Sequence, residues 1–490
     1  MKLALARFLP IAMAALTISL SALLLPTVLA AQSAADLAEA LSPLSADFPS
    51  KSVTAGNFPD ATDVIQAAVD QGAMPLRLPA GTFHLSRTIR VDLQNSGWFS
   101  IEGGGTTRIV MHGKGPAIHI VGTHRGTAAP ETVQPEVWLR QRGPQINGLE
   151  IVGNHPEADA IRAEGTMQLT LTRLLVRNGR HAIHLVQRNR NVIVSDCHFY
   201  HNHGVGLFLD DVDLHQINVA NSHISYNHQG GIVSRGGNVR NLQITGCDLE
   251  SNMHADQPAT ANVLIDCSTS LSGTAEVAIT GCTVQHNSKG PLSANIRIIG
   301  RGLAMEKQPG RQWGHVTITG NVLSDTHTNL HLRQCRGVTL QGNTLWMGYE
   351  HNLLVEDCSH LVMAANNFDR NPSYAYGTAA TTKNAIVFQG VYDSTLTGMH
   401  VAAVQAPAAV QFRKCRRLNV SALTILDRQG VGLLLQEVRD SLFTGCLIDA
   451  AGVTEPATPA IQIQGGQGNR FFGNHFQVDE FQDAAAAGQP

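Results

Sequence analysis

The chain has 490 residues and a formal net charge of −3, and only 15% of its residues are charged. This balance argues against a nucleic-acid-binding protein, which usually carries a strongly basic surface. The length is enough for a large hydrophobic core, but the repeat described below indicates one elongated domain rather than several.

The N-terminal segment has the features of a secretory signal peptide. Lys2 and Arg7 precede an apolar stretch that runs to Leu29, and the small residues there offer a cleavage site after Ala30 or Ala31. We therefore expect the mature protein to be secreted or periplasmic, with no membrane contact after cleavage. An uncleaved anchor is the alternative, and no later stretch is long and apolar enough to span a bilayer.

Three short segments follow in a fixed order. Residues 61–72, ATDVIQAAVDQG, form a short amphipathic helix in this interpretation. Residues 76–83, LRLPAGTF, and 101–106, IEGGGT, come after it. A helix at this place would close the open end of a solenoid, which would otherwise expose apolar core and unpaired strand edges.

A local pattern around Cys197 recurs along the chain and predicts the fold. A β-rich run ends at an anchor residue, an apolar residue follows two positions later, and a small–apolar–variable–apolar run comes after a turn. The predicted anchors are Leu149, Arg173, Cys197, Ser222, Cys247, Cys282, Asn321, Asn343, Asn366, Met399, Leu423, Cys446 and Asn474. Most steps are 22–25 residues, with longer steps where loops are inserted.

Alternation at period two and the absence of a helical period indicate strands linked by short turns. The repeat thus predicts an all-β fold, a single-stranded right-handed parallel β-helix of about 12–13 coils with a short N-terminal capping helix. Leucine-rich repeats share the period, but their Leu/Asn consensus is missing.

Asparagine recurs five residues after many anchors. Because asparagine tolerates a left-handed conformation and stacked amides can bond along a ladder, we expect these residues to form one turn column. They are Asn154, Asn178, Asn202, Asn227, Asn252, Asn287 and Asn371.

The eight cysteines also occupy repeat-equivalent positions. Four lie at anchors, and Cys267, Cys335, Cys358 and Cys415 follow the small–apolar strand by a similar offset. We expect all eight to be free and buried. Neighbouring coils are roughly 4.8 Å apart, so a bridge between adjacent cysteines is the alternative.

The order of helix, LPAGTF turn and GGG turn closely resembles the opening of the pectate-lyase-like superfamily. The resemblance covers residues 55–115 by motif and 145–480 by repeat pattern. It implies a right-handed β-helix and a polysaccharide or oligosaccharide partner, because the superfamily includes polysaccharide lyases, glycoside hydrolases, epimerases and phage tailspikes. The expected organisation is a signal peptide at 1–30, a leader segment at 31–60, the capped β-helix at 61–480 and a disordered tail at 481–490.

Charge is concentrated on one exposed face of the predicted β-helix. The outward positions of the small–apolar strand form two columns, and longer loops at 253–261, 268–276, 300–314 and 372–384 border them. The predicted catalytic residues are Asp210, Asp211, Asp266, Arg297 and His331. The predicted substrate-binding residues are Arg235, Arg333, Glu356, Trp346, Tyr374 and Tyr376. The competing interpretation is a surface salt-bridge ladder of Asp210, Arg235 and Asp266, worth about 0–1 kcal/mol a pair.

Two mechanisms fit this face. An inverting glycosidase needs two carboxyl groups about 6.5–9.5 Å apart, and Asp210 and Asp266 are two coils, roughly 9.6 Å, apart. A lyase or epimerase acting on a uronate needs a base and cations that neutralise the carboxylate, which His331 and Arg297 could supply with the neighbouring arginines. Asp266 or Glu356 could hold calcium, but the ligand set is too sparse to predict any metal or cofactor.

The segments Asp210-Asp211 and Asn295-Ile296-Arg297-Ile298 are similar to polygalacturonase motifs. The Gly-His-Gly segment between those motifs is missing, however, and Ile299 stands where their lysine would be. Three function classes stay open: an exported carbohydrate-active enzyme, namely a polysaccharide lyase, glycoside hydrolase or epimerase; a non-catalytic glycan-binding or cell-surface β-helix; and a structural solenoid. The oligomeric state is not predicted.

Overall fold

A computed structural model describes residues 59–483, apart from residues 73, 288–289, 307, 309–311, 374–378, 450–457 and 477–481. The predicted signal peptide, nearly all of the leader and almost the whole tail lie outside the described residues. Every strand pairing in the described part is parallel, and no helix there is long and apolar enough to cross a membrane.

The helices are few and short. Helix α1 is Thr62–Asp70 and α2 is Leu93–Ser96. Single turns of other helix types occupy Pro130–Thr132, Val137–Gln141, Leu303–Glu306 and Ala379–Thr381.

Strands fill most of the remaining chain. The first thirteen are β1 Leu76–Arg77, β2 Gly81–Leu85, β3 Ile89–Asp92, β4 Ser100–Met111, β5 Ile118–Val121, β6 Gln145–Gly153, β7 Ile161–Glu164, β8 Thr166–Met167, β9 Thr170–Thr172, β10 Leu175–Arg177, β11 Ile183–Ser195, β12 His198–Tyr200 and β13 Leu207–Ala220. The next twelve are β14 His223–Ser225, β15 Ile232–Arg235, β16 Asn238–Thr245, β17 Asp248–Glu250, β18 Ala261–Asp266, β19 Gly273–Thr280, β20 Thr283–Asn287, β21 Ala294–Ile299, β22 Gly314–Thr319, β23 Val322–Arg333, β24 Arg336–Gln341 and β25 Thr344–Glu356. The last fifteen are β26 Val362–Ala364, β27 Asn367–Phe368, β28 Ala385–Gln389, β29 Tyr392–Thr397, β30 His400–Ala402, β31 Ala408–Arg413, β32 Arg416–Ser421, β33 Thr424–Leu426, β34 Val431–Arg439, β35 Leu442–Thr444, β36 Leu447–Ile448, β37 Ile461–Gln467, β38 Arg470–Phe472, β39 His475–Phe476 and β40 Gln482–Asp483.

The strands wind into the predicted right-handed parallel β-helix. We call its faces sheet A, with the small–apolar strands such as β15, β18 and β21; sheet B, with the strands before the anchors such as β16, β19 and β22; and sheet C, with the strands after the anchors such as β12, β14 and β17. Several strands, including β11, β13, β23 and β25, bend round a corner and belong to two faces. One continuous apolar core runs through the middle.

The register confirms twelve of the predicted anchors and corrects one. Leu175 pairs with His198, so Leu174 rather than Arg173 lies at the level of Cys197. Leu174 is buried, whereas Arg173 is exposed and has a φ of 52°. The steps on either side of this anchor are therefore 25 and 23 residues rather than two equal steps of 24, which displaced the predicted alternation by one residue at this coil.

Two further coils precede Leu149, since Gly81 pairs with Thr107 and Thr107 with Leu149. Helix α1 closes the core as predicted, with Ile65 and Val69 almost fully buried. Closing the end of the core removes apolar surface and strand edges from solvent.

The asparagine column is confirmed at its centre. The Asn202 side-chain amide donates to Asn227 at 2.8 Å, and the Asn227 amide donates to Asn252 at 2.7 Å. The ladder then passes to Asn262 in strand β18, at 2.8 Å, rather than to Asn287, whose side chain lies outside the described part. It continues through Asn295, Asn329 and Asn352.

The remaining asparagines of the predicted column make other contacts or adopt a turn conformation. Asn154 bonds His112 at 2.9 Å, Asn178 adopts a left-handed φ of 60°, and Asn371 accepts from the backbone of Ser373. The prediction of one column from Asn154 to Asn287 is therefore wrong at its N-terminal end.

All eight cysteines are free and buried, as predicted. Burial raises the pKa of Cys197 to about 12 and that of Cys415 to about 11. A thiol that stays protonated is a poor nucleophile, so Cys197 and Cys415 serve as packing residues.

Candidate functional site

The two predicted columns lie on the outer face of sheet A in the predicted order. Asp210, Arg235 and Asp266 pair in register on successive strands, and Arg333 pairs with Glu356 further along. Arg297 pairs with His331 in the neighbouring column. Loops border this face on both sides: the described residues of 251–260, 369–373 and 382–384 enter sheet A, and those of 267–272, 300–302 and 312–313 leave it.

The most connected group on this face is Arg297, His331 and Glu356, on three successive coils. Arg297 Nε donates to His331 Nδ1 at 3.1 Å, and His331 Nε2 lies 2.8 Å from Glu356 Oε2. Because a guanidinium only donates, Nδ1 is the acceptor and the ring proton sits on Nε2, where it is donated to Glu356. His331 is thus held as a neutral imidazole with both nitrogens engaged.

The surroundings keep His331 neutral. Burial is the largest influence and lowers the pKa of His331; the hydrogen bond to Glu356 opposes it, and the charge of Arg297 adds to it. Burial also lowers the pKa of Arg297, with Glu356 and Asp266 opposing. The Arg297 guanidinium additionally donates to the backbone oxygen of Leu292. This site therefore combines a half-buried cation with an uncharged base.

Sequence reasoning missed four residues beside this group. Glu350 and Lys383 form an ion pair at 2.7 Å. His351 lies close to these charges and to His327, and burial is the main cause of its lowered pKa. His327, Glu350 and His351 lie where the long strands β23 and β25 turn from sheet C into sheet A and the register shifts, and Lys383 lies in a loop. The repeat assigns no inward or outward position at such places, so the pattern gave no signal for these residues.

A second histidine, His184, bonds carboxylates on both sides at the N-terminal part of sheet A, and the sequence did not predict these contacts. His184 Nδ1 is 3.3 Å from Asp159 Oδ2, and His184 Nε2 is 3.0 Å from Asp210 Oδ2. Burial would raise the pKa of Asp159, but hydrogen bonds from Arg180 and His184 hold it well below its usual range. Asp210 is thus an outer partner of a buried ionic network.

An apolar stretch of sheet A separates the group around His184 from the group around His331. Phe208, Val233 and Leu264 point outward from sheet A yet are buried in a small cluster with Val205, Ala261 and Ala294. Five coil steps, roughly 24 Å, separate His184 from His331. The predicted catalytic set is therefore split: Asp266, Arg297 and His331 lie on three adjacent coils, and Asp210 and Asp211 lie apart.

The salt-bridge ladder is not formed. Within the described residues, Arg235 makes no ion pair with Asp210 or Asp266, and its side chain is exposed. Asp266 instead accepts from the backbone N–H of Ser268 at 3.0 Å. Asp211 accepts from the backbone N–H of Gly237 at 2.9 Å, so its carboxylate stabilises a turn.

The three aromatic residues predicted to bind substrate do not join the charged columns in the described part of the chain. Trp346 pairs in register with Ser324 on sheet C, so it does not extend the columns of sheet A. The long strand β25 passes from sheet C round a corner into sheet A. Trp346 follows its anchor, Asn343, by only three residues, so it lies on sheet C, before the corner. Tyr374 and Tyr376 lie outside the described residues.

Sheet B carries a groove of a different character. Its volume is about 360 Å³, and its lining is uncharged and mostly polar, including Gln168, Asn191, Gln216, Asn218 and Gln243. Asn191 donates to Gln216 at 2.8 Å. Such a surface can hydrogen-bond hydroxyl groups but offers no titrating group for catalysis.

The continuous parallel coils and the capped end define a right-handed parallel β-helix protein, the fold that the resemblance to the pectate-lyase-like superfamily implies. Two family models match parts of the chain. The model of a right-handed beta helix region matches residues 137–290, and that of the periplasmic copper-binding protein NosD matches residues 267–487. No curated protein sequence matches the chain.

Solved structures share the fold at low sequence identity. The pre-mature gene product 12 of bacteriophage phi29 is 11% identical with a TM-score of 0.53, over 85% of this chain and 54% of that one. Tailspike protein 3 of bacteriophage CBA120 is 12% identical with a TM-score of 0.41, over 88% of this chain and 61% of that one. The A-module of Azotobacter vinelandii mannuronan C-5 epimerase AlgE6 is 15% identical with a TM-score of 0.42, over 84% and 95%. The chain spans less than two thirds of both phage proteins, and the likeness shows the fold alone.

Proposed function

We propose that this protein is an exported carbohydrate-active enzyme that acts on an acidic polysaccharide by removing the proton beside a uronate carboxylate. The observation that carries the proposal is the hydrogen-bonded line Arg297–His331–Glu356 on an outer face bordered by loops. It offers a base, a cation and a carboxylate partner within three coils.

The resting arrangement suggests how substrate would activate the base. His331 Nδ1 is occupied by the N–H of Arg297. A uronate carboxylate would compete for this guanidinium, because an arginine–carboxylate pair is charge-assisted and can be bidentate. Once Arg297 turns to the carboxylate, the lone pair of Nδ1 is free to accept the C5 proton.

The charges that develop in this step have partners. The electron pair left on C5 would spread into the uronate carboxylate, which Arg297 and the exposed Arg333 neutralise. The imidazolium formed on His331 keeps its Nε2–H bond to Glu356, which stabilises the positive charge. In a lyase the C4–O bond then breaks as the C4–C5 double bond forms, and the leaving oxygen takes the proton of the His331 imidazolium, which restores the neutral base. In an epimerase C5 instead takes a proton from water on the opposite face, and His331 releases its proton to solvent.

Hydrolysis by a carboxyl pair has weaker support. Asp266 and Glu356 are three coils, about 14 Å, apart, which exceeds the spacing of glycosidase carboxyl groups. Asp210 and Asp266 are nearer, but Asp210 is bonded to His184 and Asp266 to a turn. Asp266→Asn separates the mechanisms, since a loss as large as that of His331→Gln would favour hydrolysis.

Export rests on the predicted signal peptide and on the match to a family described as periplasmic. The second candidate function is non-catalytic binding of a neutral glycan, which the uncharged groove of sheet B favours. In that case Asn218→Ala and Gln243→Ala would weaken binding, and no product would form.

The test is turnover of a panel of polyuronates by the purified protein and by His331→Gln and Arg297→Ala. Loss of a general base costs about 10²–10⁴-fold, so we expect a drop of that order in His331→Gln. His400→Gln is the matched control, because His400 is an exposed histidine on sheet C. Full turnover by both site variants would overturn the proposal.

A further inference from the structure

A group of potential metal ligands lies on sheet C, away from the candidate active site. His223 and Asp248 pair in register on β14 and β17, and Glu250 lies two residues beyond Asp248. Their ligand atoms all lie within 4.8 Å of one another, the one such group of three that the described residues contain. His286, on the next strand β20, adds a second imidazole 3.8 Å from Glu250.

The separations between these atoms are unusual for a hydrogen-bonded network. His223 Nε2 is 3.6 Å from Asp248 Oδ2 and 3.9 Å from Glu250 Oε2, which is too long for hydrogen bonds. His223 Nε2 and Asp248 Oδ1 are both shielded from solvent and make no hydrogen bond. Buried polar atoms without partners are costly, so a missing ligand is the simplest account of them.

The same separations suit a cation between the ligands. Two ligand atoms about 2.1 Å from a tetrahedral zinc ion are about 3.4 Å apart. The His223–Asp248, His223–Glu250 and His286–Glu250 pairs exceed that value by a few tenths of an ångström, a difference that small side-chain movements would remove. His286 lies outside the group within 4.8 Å, so its ring has to move further to join the other three ligands.

The outer contacts of the group have the form found around metal ligands. His286 Nδ1 is 3.3 Å from the buried carboxylate of Asp325, which leaves Nε2 directed toward Glu250. Tyr226 donates its hydroxyl to Glu250 at 2.7 Å. A carboxylate behind a histidine fixes the ring and its tautomer in metal sites.

We propose that His223, Asp248, Glu250 and His286 bind one divalent transition-metal ion, linking three coils of sheet C. Two imidazoles and two carboxylates suit zinc and its neighbours better than calcium, which takes six to eight oxygen ligands. The site shares no residue with the Arg297–His331–Glu356 line, so the two proposals can fail separately.

The experiment titrates zinc into the chelator-treated, desalted full-length protein by calorimetry. We expect one saturable site in the unaltered chain and at least a tenfold weaker affinity in the double variant His223→Gln/Asp248→Asn. His400→Gln removes an exposed histidine from the same column as His223 and should keep the site. Zinc should raise the melting temperature of the unaltered chain and of His400→Gln, but not that of the double variant.

Glu250→Gln provides a second variant if the double variant folds poorly, and it should also weaken binding at least tenfold. Equal zinc affinity in the unaltered chain and in either site variant would overturn the proposal. So would the absence of a saturable site in the unaltered chain, which would leave the four side chains as a proton-linked network only.

Discussion

His331 lies between two opposite charges on different coils: its Nδ1 accepts from Arg297 on the coil before, and its Nε2 lies 2.8 Å from Glu356 on the coil after. Stacked strands in register hold all three at neighbouring levels about 4.8 Å apart. The stacked coils of the β-helix therefore set the distances between these three residues. Their side chains set the order of the hydrogen bonds, from the cation through the base to the carboxylate.

Replacing Glu356 tests whether this line works as a unit. Glu356 raises the pKa of His331 against the effect of burial, so Glu356→Gln should lower that pKa. Because the base acts when deprotonated, the acid limb of the kcat/KM profile should move to lower pH. The maximal rate should fall about tenfold, less than for His331→Gln, since the imidazolium loses a charged partner. An unchanged profile would contradict a role for Glu356 through His331.

The asparagine ladder should be a major source of stability. Asn227 is buried and donates both to Asn252 and to the backbone oxygen of Phe199, while accepting from Asn202. Asn227→Ala leaves these partners unsatisfied and should cost about 2–3 kcal/mol in the free energy of unfolding. Urea unfolding measures this loss, and Asn218→Ala, on the exposed face of sheet B, should cost less than about 0.5 kcal/mol. Equal losses in the two variants would contradict the ladder.

The thiols should be free but unreactive in the folded protein. Eight buried, unpaired cysteines predict a count of eight on titration in denaturant without reductant, and almost none under native conditions. A denatured count of six or fewer would mean that a neighbouring pair, such as Cys335 and Cys358, is bridged.

Stability should fall in mild acid because of His181. Burial lowers the pKa of His181 to about 4, with Asp159 opposing, against about 6.5 in an unfolded chain. The unfolded chain therefore binds more protons between these values, so stability is complete above about pH 6.5 and is lost as the pH falls toward 4. His181 should account for about 2 kcal/mol of the loss between pH 7 and pH 5.

The measurement is the urea midpoint at the two pH values. His181→Gln should flatten the decline, whereas the exposed His203→Gln should leave it unchanged. Identical declines in all three proteins would show that other groups control the acid response.

The regular part of this molecule could be predicted from its sequence, and the irregular part could not. Period-two alternation placed Arg297, His331 and Glu356 in the correct columns, because each coil repeats the same inward and outward positions. The partner of Asn252 was missed since an inserted loop brings Asn262, not the residue one repeat later, to its level. Asp159 lies in a turn before β7, where the alternation of a strand does not determine whether a side chain points inward or outward. Its contact with His184 could therefore not be predicted from the pattern.

In the proposed mechanism, His331 removes a proton from C5 of a uronate. Incubating the purified protein with polyuronates in deuterium oxide, and analysing the products by mass and ultraviolet absorbance, tests it directly. We expect either unsaturated oligosaccharides or deuterium at C5 of the polymer, both abolished in His331→Gln and retained in His400→Gln. Saturated, undeuterated oligosaccharides, or undiminished turnover by His331→Gln, would contradict it.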